Sequence, residues 1–278
     1  MDTLSAAAAV LSSAPVRGGS PVMRHAFSPE TLHPDLWRGH QFGRHAEHGL
    51  PSGFAALDAQ LPGGGWPRRS LTELLLPHPG IGEIRFLSHC LRATQRSGRP
   101  VMLFDPPAAL SGWALAQLGL EVEQLLIVVT RAGPAQIEEM RVAARETDET
   151  RTRARLWALE QALKSGHVGA VLAWLPPRLR TECLRRLQLA AHAHDGVAFV
   201  LREMAAAQHP SAAPLRLALR PGGADVLALR VLKRRGPPLE ASLQLALPPV
   251  LCRSARQRVH AGAAQMPMLH AATFVNLA

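Results

Sequence analysis

From Leu50 onward the chain alternates short apolar runs with longer stretches in which apolar residues recur every three or four positions. Ser70 to Leu76 is a β-like run that ends at Pro77. After it, Ile84, Leu87 and Leu91 recur at i, i+3 and i+7 while Arg85, Ser88 and Arg92 fall elsewhere, the stripe of a helix packed on one face. The alternation continues with a strand at Pro100 to Asp105, a helix at Ala108 to Leu118 closed by Gly119, and a strand at Leu125 to Thr130. Gln136 to Ser165 is helical in pattern, with a charged stretch, Glu146 to Arg155, expected to form an exposed extension or a break between two helices. A buried strand at Val168 to Leu175, an amphipathic helix at Leu179 to His194 and a strand at Gly196 to Leu201 complete the series.

Apolar strands alternating with helices predict an α/β fold with a mostly parallel sheet covered by helices on both faces. Past Pro210 the pattern changes. Leu215 to Leu219, Asp225 to Lys233 and Leu239 to Leu247 read as strands joined by the turns Pro221-Gly222-Gly223 and Arg235-Gly236-Pro237-Pro238, an antiparallel extension of the sheet by hairpins. The expected organisation is a disordered leader over 1–28, a polar arm over 29–49, a core domain over 50–248, and a basic then apolar tail over 249–278.

Composition narrows the classes. The chain has 278 residues, 47% apolar and 19% charged, enough for one substantial core. The formal charge of +10 favours polyanionic partners, nucleic acid first. From Arg178 to Arg258 there are 14 Arg or Lys against 5 Asp or Glu, so this stretch carries nearly the whole surplus. Cys90, Cys183 and Cys252 are far apart and odd in number, which indicates neither a disulfide framework nor a CxxC site and fits a reducing cytoplasm. His33, His40, His45 and His48 crowd the arm, but no set of Cys or carboxylates completes a ligand spacing, so no metal is expected. Val168 to Pro177 has about half of the roughly 20 residues that a membrane span needs, so no membrane partner is expected.

The motifs carry a resemblance. Leu50-Pro51-Ser52-Gly53-Phe54-Ala55-Ala56-Leu57-Asp58, then Gly63-Gly64-Gly65, then Leu71-Thr72-Glu73-Leu74 resembles the signature TGxxxLDxxLGGG and following strand of RecA-like recombinases. The resemblance implies a RecA-like phosphate-loop core over roughly Leu50 to Leu247. In that family the loop is GxxxxGK[ST], whose backbone N–H groups and lysine hold phosphates while the hydroxyl holds magnesium. Here the corresponding stretch reads Pro77-His78-Pro79-Gly80-Ile81-Gly82-Glu83-Ile84. Gly82 matches the second glycine, but Pro77, Glu83 and Ile84 stand in place of the first glycine, the lysine and the hydroxyl residue. Trp174 takes the place of the magnesium-orienting aspartate, Pro107 that of the catalytic glutamate, and Arg202 that of the γ-phosphate sensor. Asp105 reads as a structural residue at a strand end. With these groups replaced, no residue is positioned for in-line attack, and neither ATP hydrolysis nor a nucleotide cofactor is expected.

Within the RecA-like group, Leu36-Trp37-Arg38-Gly39, the GFAALD and LPGGGWP segments, the PGIGE loop and Leu172-Ala173-Trp174-Leu175-Pro176 are similar to the ImuA family. That resemblance implies a non-catalytic accessory protein of SOS-induced translesion DNA synthesis, located at the nucleoid. Its implied partners are an ImuB-like Y-family polymerase homologue, an error-prone replicative-type polymerase reached through ImuB, and RecA. A SulA-type division inhibitor and a RecA-like protein with residual nucleotide binding are the alternatives. The stretch available for a second DNA-gripping loop, Met204 to Pro214, is short and mostly uncharged. Candidate contacts to single-stranded DNA are Arg216, Arg220, Arg230, Lys233, Arg234 and Arg235, with Arg253, Arg256 and Arg258 in the tail; a solvated basic face is the equally weighted reading. In the apolar tail Met266, Met268, Leu269, Phe274 and Val275 are candidates for a partner-docking helix, or for packing on the chain's own core.

Overall fold

The apolar runs become the strands of one eight-stranded sheet in the computed structural model of the protein, which describes residues 48–130, 148–236, 239 and 242–250. The strands are β1 (Leu71–Leu76), β2 (Val101–Phe104), β3 (Leu125–Val128), β4 (Ala170–Trp174), β5 (Val197–Glu203), β6 (Leu215–Gly223), β7 (Val226–Lys233) and β8 (Leu243–Ala246). Their spatial order is β3-β2-β4-β5-β1-β6-β7-β8. Strands β1 to β6 pair in parallel, and β7 and β8 add antiparallel. The first strand of the expected hairpin extension is therefore the last strand of the parallel sheet. Its turn also lies later than Pro221-Gly222-Gly223: β6 runs to Gly223, and the chain reverses at Ala224-Asp225, where Asp225 takes φ 56°.

Helices α1 (Ala55–Asp58), α2 (Glu83–Arg96), α3 (Gly112–Gln117), α4 (Asp148–Lys164) and α5 (Thr181–Ala193) connect these strands. Helix α3 begins four residues later than its periodicity predicts. The chain bends at Pro107-Ala108 before the helix, and Ser111 caps it by accepting from the Ala114 N–H at 3.3 Å. From Asp148 the charged stretch ending at Arg155 is the first part of α4, with Arg153 and Ala154 exposed, and Leu156 just beyond it is buried. The 136–147 part of that expected helix, the leader and residues 29–47 of the arm lie outside the described residues.

Side-chain alternation sorts the sheet residues onto two cores. On one face Leu74, Leu172, Phe199 and Leu217 meet Phe86, Leu87 and Leu91 of α2. On the other, Leu71, Val171, Ala173 and Val200 meet Leu156, Leu159 and Leu163 of α4 and Leu184 and Leu187 of α5. Each helix contributes one apolar stripe, so burial of the two sheet faces is what orients α2, α4 and α5.

The glycine-rich lead-in is a mechanical anchor. Leu50 and Trp66 exchange backbone hydrogen bonds at 2.9 and 2.7 Å, and a Cβ on Gly65 would lie 2.5 Å from the Leu50 carbonyl oxygen. Asp58 accepts from the Ser52 N–H at 2.9 Å, which closes the segment on itself. Trp66 then sits edge-on to Phe86 and Phe199, with centroids 5.4 and 5.1 Å away, pairs worth about 0.5–1.5 kcal/mol each beyond their burial. Among the described residues no helix is long and apolar enough to cross a membrane.

His194, between α5 and β5, is fully buried, and neither ring nitrogen has a hydrogen-bond partner. Burial, and then the Arg99 guanidinium, hold its pKa below the ordinary histidine value, while Asp195 and the backbone of Val197 and Leu163 act in the opposite direction. The folded state thus keeps the ring neutral at a pH where the unfolded chain, with a pKa near about 6.5, has taken up a proton. Stability should fall as the pH drops below that value. Urea melts at successive pH values should show this loss, and His194→Leu should flatten the profile on the acid side.

Candidate functional site

The carboxyl ends of β1, β2, β4 and β5 converge on the loop between β1 and α2, the position at which open parallel sheets bind ligands. Gly80 and Gly82 adopt φ 87° and 106°, left-handed values that a side chain would strain. These two residues turn their N–H groups toward the start of α2. The carboxylate of Glu83, the first residue of α2, accepts both: Gly80 N–H lies 2.9 Å from Oε1 and 3.1 Å from Oε2, and Gly82 N–H lies 3.2 Å from Oε2. Glu83 is only 3% exposed. The sequence shows a carboxylate in place of a lysine; the structure shows that carboxylate seated on the backbone donors themselves. Ile84 packs against the α2 core rather than facing the loop's concave side, and Pro77 is exposed.

The loop is also held from behind. Leu247 approaches so closely that a Cβ on Gly82 would lie 2.7 Å from its Cδ1. Arg85 of α2 donates from Nε to the Pro248 carbonyl at 2.9 Å and from Nη2 to Asp225 at 2.5 Å. The end of the hairpin sheet thereby buttresses the loop.

Beside the loop lies a cleft of about 210 Å³. Trp174, at the end of β4, forms part of its wall; it is 8% exposed, and its Nε1 has no acceptor. Asp105, just past β2, takes φ 50°. Its carboxylate accepts from the Thr130 N–H and Oγ1, both at 2.6 Å, and pairs with Arg155 Nε of α4 at 2.6 Å. Pro107 lies exposed on the same cleft.

Arg202 fills the remaining corner. It donates from Nη1 to Glu73 Oε1 at 2.6 Å, from Nε to the Pro176 carbonyl at 3.2 Å, and from Nη2 to the Pro177 carbonyl. Glu73, fully buried in β1, also accepts from Arg216 Nε at 2.6 Å, and Arg216 Nη2 reaches the Ala206 carbonyl. Sequence reasoning passed over Glu73 and Arg155. The signal for Glu73 was present: a carboxylate in the buried run Leu71-Thr72-Glu73-Leu74-Leu75-Leu76 demands a buried cation.

This network corrects one DNA-contact candidate, because Arg216 is 8% exposed and committed to Glu73. The others divide. Arg220 and Arg230 are exposed and share one face of the β6–β7 hairpin, where their cross-strand neighbours are Ala228 and Ala218. Lys233 is exposed and donates to the Ser211 carbonyl at 2.9 Å, Arg235 is exposed, and Arg234 turns to the Gln60 carbonyl. Arg253, Arg256, Arg258, Met266, Met268, Leu269, Phe274 and Val275 lie outside the described residues.

Comparison with known proteins agrees with a RecA-like core. The chain is similar to the protein RecA of Enterococcus faecalis, 26% identical over 157 residues, which is 56% of this chain and 45% of that protein. It is 28% identical to RecA of a Picosynechococcus species over 140 residues, 50% of this chain and 40% of the relative. With RecA of Symbiobacterium thermophilum it shares 26% over 168 residues, 60% of this chain and 48% of the relative. The chain thus spans somewhat less than half the length of these curated relatives. No family model matches it.

Removing the charge of Glu73 leaves two buried guanidiniums without their counter-ion. Glu73→Gln should cost about 3–5 kcal/mol in urea unfolding, the usual consequence of breaking a buried pair from one side. Arg220→Ala, exposed, should stay within about 0.5 kcal/mol of the native chain.

Proposed function

We propose that this chain is a non-catalytic RecA-like accessory protein of translesion DNA synthesis, of the ImuA type, that uses a phosphate-loop scaffold to hold other proteins. The observation that carries the reading is the Glu83 carboxylate on the Gly80 and Gly82 N–H groups. A phosphate bound there would need the same donors and would meet a negative charge within a few ångströms, a repulsion of several kcal/mol at the effective dielectric of a protein surface. Arg202 and Arg155, the cations nearest to a γ-phosphate position, are engaged with Glu73 and Asp105.

Similarity to RecA proteins supports a DNA-repair setting. The ImuA-like segments support the narrower assignment, whose partners are an ImuB-like polymerase homologue, the error-prone polymerase it recruits, and RecA. Single-stranded DNA would be met by Arg220, Arg230, Lys233 and Arg235 on the hairpin side.

Two measurements test the reading. Millimolar ATP with magnesium should leave the melting temperature and tryptophan fluorescence of the full chain unchanged, and a saturable, magnesium-dependent shift would overturn the claim of a closed cradle. Immobilised protein should retain the ImuB-like partner and RecA; retention of neither would remove the accessory role.

The cradle makes its own prediction. Glu83→Ala should lose about 1–3 kcal/mol by orphaning the loop donors. Inorganic phosphate should then raise the melting temperature of the variant by more than that of the native chain, read by calorimetry across a phosphate series.

A further inference from the structure

We propose that the cleft beside the closed loop is an anchor pocket for a partner protein, taking an aromatic side chain that lies next to a lysine or arginine. The inference rests on the accessory reading, since it needs a cleft that no nucleotide fills. At about 210 Å³ the cleft falls below the roughly 300–1,000 Å³ of sites that enclose a whole small molecule, and it suits a single inserted side chain.

Its walls are apolar and rigid. Pro79 and Pro107 stand on one side, Pro176 and Pro177 on another, and Trp174 and Leu201 lie between them. Proline rings and an indole present flat, inflexible CH and π surface, which loses little conformational entropy when an aromatic ring enters. Two of the prolines are fixed further, because Arg202 holds both the Pro176 and the Pro177 carbonyls.

The charges decide which class of ligand fits. Arg155 Nε is engaged by Asp105 and Thr130, and each of the three guanidinium nitrogens of Arg202 is bonded to the protein. Glu203 differs. It lines the cleft, is exposed, and has no ion-pair partner among the described residues. Among the described residues that line the cleft, Glu203 is the one charged side chain exposed to solvent, and it favours a cationic neighbour for the anchoring ring. The wall also holds an unanswered donor, Trp174 Nε1, whereas buried polar groups are nearly always bonded.

The test uses the full chain labelled with nitrogen-15, reading the Trp174 indole N–H signal, which Trp174→Phe assigns. The probes are L-phenylalaninamide, a cationic aromatic amide, and N-acetyl-L-phenylalanine, its anionic counterpart. Phenylalaninamide should shift the Trp174 signal saturably with a dissociation constant of about millimolar size, and the anion should bind at least about threefold more weakly. Pro107→Arg, at an exposed wall position, should abolish the shift by filling the cleft with a cation. Glu203→Gln should remove the preference between the two probes.

No shift with phenylalaninamide, undiminished binding to Pro107→Arg, or a preference for the anion would each overturn the proposal. The accessory reading fails separately, through a nucleotide-induced melting shift. An absent probe shift with an unchanged melting temperature in ATP would end the anchor pocket alone.

Discussion

A helix that starts at the end of a parallel strand, with glycines bending the chain before it, presents backbone N–H groups that need an anion. At α2 of this chain the need is met from within. Glu83 is the first helical residue, so its side chain reaches back only one turn of loop to Gly80 and Gly82. The favourable interaction of a carboxylate with a helix N-terminus and the hydrogen bonds to two loop donors are thereby gained in the same contact. The loop keeps the shape of a phosphate cradle because a carboxylate substitutes for the phosphate. Arg85 and Leu247 hold the same loop from behind, where the hairpin end rests against it.

The same substitution of internal for external charge recurs around the sheet edge. Asp105 binds Thr130 and Arg155 and so links the ends of β2 and β3 to α4. Glu73 binds Arg202 and Arg216 and links β1 to β5 and β6. Buried ion pairs gain little net stability when both partners are present, but they are costly to break, so they fix geometry more than they add stability. Here they fix the sheet's carboxyl edge as a rigid surface, and the loops bearing Pro176, Pro177 and Ala206 are held by carbonyl contacts to the same arginines.

Much of this was legible in the sequence, and the limits have physical causes. Strands β2 and β4 read as unbroken apolar runs and β1 and β5 as largely apolar ones, so their existence and order of appearance followed from the pattern of the chain. Helix α3 was read too long, because local periodicity does not register the bend at Pro107-Ala108 or the Ser111 cap that starts the helix at Gly112. The degenerate loop was legible residue by residue, yet the destination of the Glu83 carboxylate was not, since pattern says which charge is present and not where it bonds. Glu73 finds its partners 129 and 143 residues away, a separation no local pattern encodes. Arg216 was misplaced for a related reason. It alternates with Leu215 and Leu217 like any outward residue, and only the 3-10 turn at Met204–Gln208, folding back over that strand, makes its side of the sheet an interior.

The arrangement separates two kinds of recognition that an ATPase of this shape would merge. In a working phosphate loop, cations and backbone donors at the sheet edge face the ligand, and basic character and catalysis share one place. In this chain Arg155, Arg202 and Arg216 are turned onto Asp105 and Glu73, and the described residues lining the cleft are mostly prolines and other apolar side chains, with Glu203 exposed at its rim. Exposed arginines stand on the hairpin face, at Arg220 and Arg230, and also just past the cleft, at Arg178 and Arg180. Under the proposed accessory role, a nucleic acid would meet the hairpin face while a protein partner met the cleft, and the two would not compete for one site.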